Sequence, residues 1–364
     1  MSKSNKKHMS LLLASAFVLC TFSACMSSSQ NALSSPGASS LSEDTTWTFT
    51  DSAGRQVEIP THIERVLASG SLAQPFIWPL AADELVSLWD AFSEEDLKFV
   101  GQQYADLPVT GSLYRKGSEL NVEEVASLNA QIVIDYGEPK DSIKEDLDDL
   151  QALLGIPCVF IDGSLKYTPE AYRTLGKILG REEKAEEIAE YAEGILRKAD
   201  ALISKTERKT LVCASGSNGL ECIASGSFFD AVWEYMGKNV AVADNAQSYW
   251  FSAISMEQLQ KWDPEYIFFY TADGYKLSQT EKTWSTLTAV KNGNCFLIPA
   301  SPVDFCVLPS VNRLIGIEWL VSKMYPDDSN LNIKDEIFRY YKLFYDCDLT
   351  DELYNELIGA QLCK

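Results

Sequence analysis

The chain has 364 residues, 46% of them hydrophobic, and carries 31 Lys+Arg against 52 Asp+Glu for a net charge of −21. That acidity argues against nucleic acid and anionic lipid surfaces as partners. The apolar content is enough to build a core for two lobes.

The first 25 residues, MSKSNKKHMSLLLASAFVLCTFSAC, combine a lysine-bearing head, an apolar run from Leu11 to Leu19 and small residues before Cys25. They read as a secretory signal whose apolar part is too short to remain as a spanning anchor. The segment Leu19 to Cys25 resembles a bacterial lipobox, with Cys25 the residue lipidated after cleavage; the alternative is an ordinary signal with an incidental cysteine. Cleavage there removes three lysines and no acid, lowering Lys+Arg to 28 against the same 52 acids. Residues 26–46, MSSSQNALSSPGASSLSEDTT, are rich in Ser and Ala and poor in large apolar groups, and read as a flexible tether. No later run reaches the ~18 apolar residues of a spanning helix.

The body starts at Trp47. WTFTDSAGRQVEIP alternates as strand, turn and strand, a hairpin ending at Pro60. ERVLAS reads as a buried strand, followed by a Gly/Ser loop, the helix QPFIWPLAA and a further strand, LVSLW. The stretch Thr168 to Lys205 predicts a short helix and then a long one. Thr168, Pro169 and Glu170 supply cap, N1 proline and first-turn acid, and Gly180 closes the first helix. In the second, Ala185, Ile188, Ala189, Ala192, Ile195, Leu196, Ala199, Leu202 and Ile203 keep a 3-4 spacing opposite a charged face. Such a helix reaches roughly 30 Å, the span of a small domain. An ordinary amphipathic surface helix is the plain alternative. A strut between lobes is favoured because NVEEVASLNAQIVIDY (Asn121 to Tyr136) and SMEQLQKWDPEYIFFY (Ser255 to Tyr270) flank it as apparent copies of one helix–strand unit.

Seven cysteines follow Cys25, an odd number with no CxxC pair. They read mostly as small buried hydrophobes, with a Cys213–Cys222 disulfide across a hairpin as the nearest candidate pairing. The only histidine after the leader, His62, sits beside the hairpin. A receptor for bare zinc or manganese normally needs several imidazoles, so that set is not available. No GxSxG, P-loop, HExxH or Cys-His pairing appears either.

The hairpin, RVLASG, SLNAQIVIDYG, EQLQKWDPEYIFF, TLTAVKNGNCFLIP, PSVNRLIGIEWLVSKMYPD and the closing YYKLFYDCDLTDELYNELI together resemble, in order and spacing, the substrate-binding lipoproteins of ABC importers for iron complexes, haem and cobalamin. The resemblance covers the chain from Trp47. It implies an α/β fold of two Rossmann-like lobes bridged by one long rigid helix, the class III periplasmic-binding-protein fold. The division expected is leader 1–25, tether 26–46, N-terminal lobe 47–167, bridging helices 168–205 and C-terminal lobe 206–364 with the C-terminal helices. It implies a monomer outside the cytoplasm, held to the membrane by lipid alone, that serves a permease dimer and its ATPase. It carries no cofactor and no catalytic residue.

The ligand implied is a metal chelate, ferric siderophore first, with haem, corrinoid or an oxyanion such as molybdate as alternatives; a two-lobed chelatase is the alternative of another class and lacks its histidine base. Sites in such lobes gather at the carboxyl ends of strands. The candidates there are Ser69, Gly70, Ser71, Trp89, Tyr114, Arg115 and Tyr136 in the first lobe. In the second they are Ser215, Asn218, Tyr249, Trp250, Tyr270, Asp304 and Phe305. For each, a packed or solvated structural role competes with ligand contact. Arg313, at the start of a helix under the cleft, is read first as a structural pair and second as an anion contact; Arg115, in a glycine-flanked loop, is the better anion contact. The resemblance assigns Glu123 and Glu257, at matching places in the two copies, to docking on the permease. Alone, each is a first-turn helix acid.

Overall fold

The computed structural model describes residues 45–113, 122–242 and 250–359. The hairpin pairs β1 (Thr46–Thr50) with β2 (Gln56–Pro60) antiparallel, Phe49 opposite Val57. Asp51 Oδ1 accepts from the Ala53 and Arg55 amides, and Gly54 takes the left-handed φ of 74° that the turn requires. Arg55 then fastens the turn to the body. Its Nη1 donates to the Cys158 carbonyl at 2.7 Å and its Nε to Asp148 at 2.8 Å.

The first sheet is parallel throughout, with β4 (Ile132–Gly137) between β3 (Val66–Ala68) and β5 (Cys158–Asp162). β3 is wholly buried and so is β4 up to its last residue, which is why both read as apolar runs and not as alternation. LVSLW, predicted as a strand, is not one. It meets its neighbours only at the single bridges Val66–Leu85 and Leu88–Val109. Its amides go in turn to Val66, Pro108 and the Gln74 side chain, so no one partner strand can extend a ladder.

The second sheet comprises β6 (Thr210–Ser215), β7 (Glu221–Cys222), β8 (Lys238–Asn239), β9 (Ser252–Ala253), β10 (Tyr266–Phe269) and β11 (Cys295–Leu297). The order is β11-β10-β6-β7-β9, with β8 also on β6. β8, β10 and β11 run parallel to the ladder of β6, whereas β7 and β9 are antiparallel additions. The β6–β7 register sets Cys222 opposite Ala214, not Cys213, and both thiols are free and buried. The disulfide considered across this hairpin is therefore absent.

The two repeat copies keep the same backbone. Helix Val122–Ser127 leads into β4, and helix Met256–Trp262 into β10. The ninth residue of each copy, Asn129 and Asp263, closes its helix at positive φ, 51° and 40°. The twelfth, Ile132 and Tyr266, enters the sheet parallel to Val66 and Leu211.

Between the sheets come helices Thr168–Leu179 and Glu182–Ile203. Thr168 is not the cap; that place is Tyr167, and the Thr168 hydroxyl donates to the Leu165 carbonyl at 2.8 Å. Gly180 does close the first helix, at φ 64°. The second has 22 residues, about 33 Å at 1.5 Å per residue. Its 3-4 stripe is buried from Ala185 to Ala199 and half-buried at Leu202 and Ile203; Tyr191, outside the stripe, is buried as well.

A single apolar cluster runs from Val66 and Ile134 through Tyr172, Ile188 and Phe344 to Leu211 and Phe268, so the two sheets share one core. Helix Ile333–Tyr345 crosses that boundary. It packs on Arg313–Met324 and also on Ala73–Ala81 and Leu97–Val100, with the Phe99 and Tyr341 rings 5.4 Å apart.

Candidate functional site

A cavity of about 430 Å³ gathers residues that follow the carboxyl ends of β3, β10 and β11, the position at which open α/β sheets collect ligands. Its size lies within the range of small-molecule sites. A larger cavity, about 690 Å³, lies away from the strand ends between the long helix and Arg313–Met324, and no aromatic ring lines it.

One wall of the smaller cavity is Ser71, Leu72, Gln74, Trp89 and Phe92. Gln74 is buried, and its Oε1 accepts from the Trp89 amide at 2.7 Å, which fixes the backbone that presents the Trp89 ring. The opposite wall carries a run of rings. Phe229 stacks on Trp250 at 5.3 Å, Trp250 on Phe251 at 6.3 Å and Phe251 on Tyr270 at 5.7 Å, with interplanar angles of 17°, 12° and 27°. Trp89 and Trp250 remain 37% and 44% exposed, so apolar ring surface is left for a ligand to cover. Burial, with Asp304 adding to it, pushes the Tyr270 phenol up to about 12, so its hydroxyl is a donor at neutral pH.

Asp304 closes the floor. Its Oδ1 accepts from the amides of Cys306 at 3.1 Å, Leu308 at 3.0 Å and Val307. Burial nonetheless pushes its carboxyl up to about 6, the desolvation cost outweighing the three donors.

Of the residues singled out in the sequence, Ser71, Trp89, Trp250, Tyr270 and Asp304 line this cavity. Tyr114, Arg115 and Tyr249 lie outside the described residues, as does Cys25. The remaining ones are turned elsewhere. Ser69 is buried and donates to Asp135. Ser215 is buried in β6. Phe305 is a fully buried core residue. Asn218 folds into its own loop, Oδ1 accepting from the Leu220 amide at 3.0 Å.

Tyr136 is buried with its ring 3.9 Å from Phe76, and its hydroxyl, beside Arg313, has no hydrogen-bond partner of good geometry. Burial raises this phenol above its ordinary range although Arg313 opposes the shift. Arg313 itself is 2% exposed. It donates to the carbonyls of Gly163 and Ser310 at 2.9 and 3.2 Å. Glu123 and Glu257 are exposed on the first turns of their helices.

Gln74 and Phe229, which also line the cavity, were missed. Gln74 sits inside a helix written as an apolar run, and Phe229 precedes a helix without any strand-end signal. Among the described residues no cluster of His, Cys, Asp and Glu is arranged to hold a metal ion. Likewise no helix there is long and apolar enough to cross a membrane.

Two parallel-stranded α/β units on a shared core, with an aromatic-walled cavity at their strand ends, define a two-lobed solute-binding protein. The chain belongs to the periplasmic binding protein family, which it matches over residues 102–302. What such proteins hold is a transported ligand and not a cofactor, and they are not enzymes.

Among curated proteins the chain is similar to the Fe(3+)-citrate-binding protein YfmC of Bacillus subtilis, 25% identical over 184 residues, 49% of this chain and 56% of that protein. The match thus spans little more than half of the relative's length. Among solved structures the chain resembles an ABC transporter solute binding protein from Sulfurospirillum deleyianum, with TM-score 0.78 and 24% identity over 86% of this chain and 99% of that one. It also resembles the molybdate periplasmic binding protein MolA of Haemophilus influenzae, with TM-score 0.62 and 18% identity over 84% and 99%. These likenesses establish the class III fold.

Proposed function

We propose that the chain is an extracytoplasmic solute-binding lipoprotein, anchored through Cys25 and a tether over 26–46, that delivers a metal chelate to the permease of an ABC importer. In this reading 47–167 and 206–364 are the lobes, 168–205 joins them, and ferric siderophore is the first ligand class. The observation that carries it is the cavity at the strand ends, walled by Trp89 on one side and by Phe229, Trp250 and Tyr270 on the other, with Phe251 stacked between the last two. That much exposed ring surface suits a chelate with apolar arms, in which the metal is already coordinated. The ferric-citrate-binding relative supports an iron chelate as the class. The likeness to a molybdate receptor is the specific observation favouring the second reading, an oxyanion.

The test is titration of tryptophan fluorescence with ferric hydroxamate, ferric citrate, haem, cobalamin and molybdate, followed by recovery of the ligand. Saturable quenching by an iron chelate that emerges chemically unchanged is the expected result. Quenching by molybdate alone installs the second reading, and recovery of an altered ligand would sink the binding role in favour of an enzyme.

A further inference from the structure

Resting on the chelate-binding reading above, we infer that the cleft selects cationic chelates over anionic ones, so its ligand class is an iron complex bearing free ammonium or similar positive groups. Among the described residues, no Lys, Arg or His lines the cavity, whereas Asp90, Asp96 and Asp304 do. Backbone amides beside the lining that could meet an anion are already held by these carboxylates. Asp304 holds the amides of Cys306, Val307 and Leu308. Asp96 holds the amide and hydroxyl of Ser93, and Asp90 the amide of Ala91. Arg313, expected from sequence as a possible anion contact, is buried against the Gly163 and Ser310 carbonyls and is not part of the lining.

The aromatic walls act in the same direction. The faces of Trp89 and Trp250 carry negative quadrupole potential, which attracts a cation and repels an anion. The whole chain, at −21, adds a field of the same sign that raises the local concentration of cations at the cleft mouth. An anionic chelate placed here meets carboxylates and ring faces with no described cation to offset its lost hydration.

The experiment uses the full soluble body and three ferric complexes of one linear trihydroxamate, its terminal amine left free, acetylated or succinylated, so that only charge changes. Affinities are read from tryptophan quenching at low and high salt. The expected order is amine, then acetyl, then succinyl, with about 5–10-fold per unit of charge at low salt, narrowing to about two-fold in high salt. Asp90→Asn with Asp96→Asn, both on exposed or half-exposed sites where Asn keeps the local capping bonds, is expected to compress the low-salt spread to within about three-fold.

Saturable binding with the reverse order or with no order overturns the inference and leaves the chelate reading standing, as does binding of ferric citrate or molybdate with none of the trihydroxamates. If none of the three binds, nor ferric citrate, haem, cobalamin or molybdate, both fall together.

Discussion

The guanidinium of Arg313 donates to the carbonyl of Gly163 at 2.9 Å, joining the start of a helix behind the second sheet to the residue that follows β5 of the first. The same side chain donates to Ser310 at 3.2 Å and approaches Glu138 at 4.0 Å. At 2% exposure it ties the two halves together from inside the core. Desolvation lowers its pKa from the ordinary arginine value, and a guanidinium keeps its charge in proteins. Removing one partner of a buried charged contact leaves the others desolvated and unpaired. Arg313→Met is therefore expected to destabilise the fold by about 3 kcal/mol. Arg313→Lys should recover less than half of this, because one ammonium cannot reach both carbonyls in the planar fork geometry. Urea denaturation of the three proteins checks this, and an unchanged midpoint for the Met variant would reduce the contact to a bystander.

A shared core also limits motion. The apolar cluster is continuous from Ile134 through Ile188 and Phe344 to Phe268, and helix Ile333–Tyr345 packs on both halves. Closing a wide hinge would have to open this packing, which is bistable and not elastic. Ligand-free and ligand-saturated protein should accordingly differ by less than about 1 Å in radius of gyration, a small tilt. Small-angle scattering decides it, and a change of several ångströms would rule out the rigid arrangement.

Stability should have an acid-side maximum. Burial raises Asp304 and Asp230 to about 6, above the ordinary aspartate range. A carboxyl raised in the folded state favours folding while protonated, so its contribution is full below the unfolded value and is lost as pH climbs through about 6. In contrast, Asp263 and Glu186 are lowered, by hydrogen bonds to Thr288 and Arg173 respectively, and their contribution is lost as pH falls through the folded values. Thermal melts of the ligand-free protein should thus decline between pH 4.5 and 7. Asp304→Asn keeps an Oδ1 acceptor for the three amides and should flatten that slope, by at most about 1.4 kcal/mol per pH unit. A variant with the parent's slope would place the titration elsewhere.

Docking on the permease is proposed to use Glu123 and Glu257, which stand exposed on equivalent first turns of the repeated unit. Glu257 is held ionised below the usual range by its own amide and by Ser255, so it presents a fixed negative charge. The double change to Ala is expected to leave melting and ligand affinity within error while cutting uptake at least ten-fold and weakening permease binding in a salt-dependent way. Normal uptake by the double variant at limiting receptor would make both residues helix-end acids and nothing more.

What the sequence determined alone was carried by short-range periodicity and local chemistry, although LVSLW and the Thr168 cap show that such signals can yield to the fold. The 3-4 stripe from Ala185 to Ile203 specifies a long one-faced helix whatever it packs against. The Asp51-to-Arg55 turn closes the hairpin through its own side chain. The repeat is legible because both copies read as a first-turn glutamate, Glu123 or Glu257, an amphipathic helix and an apolar strand leading to a tyrosine, Tyr136 or Tyr270.

The tertiary structure decided which way strand-end residues point. A one-residue difference in register moves a side chain to the opposite face. Register sets Cys222 opposite Ala214 and not Cys213. Tyr136 and Tyr270 hold the same place in the two copies, yet Tyr136, inside β4, is sealed against Phe76 while Tyr270, just past β10, joins the cavity wall, so there the packed neighbours decide and not the register. Gln74 and Arg313 take their roles from partners brought in by the fold, Trp89 from 15 residues away and Gly163 from 150. No local pattern encodes such a pairing, because it exists only once both lobes have packed on one core.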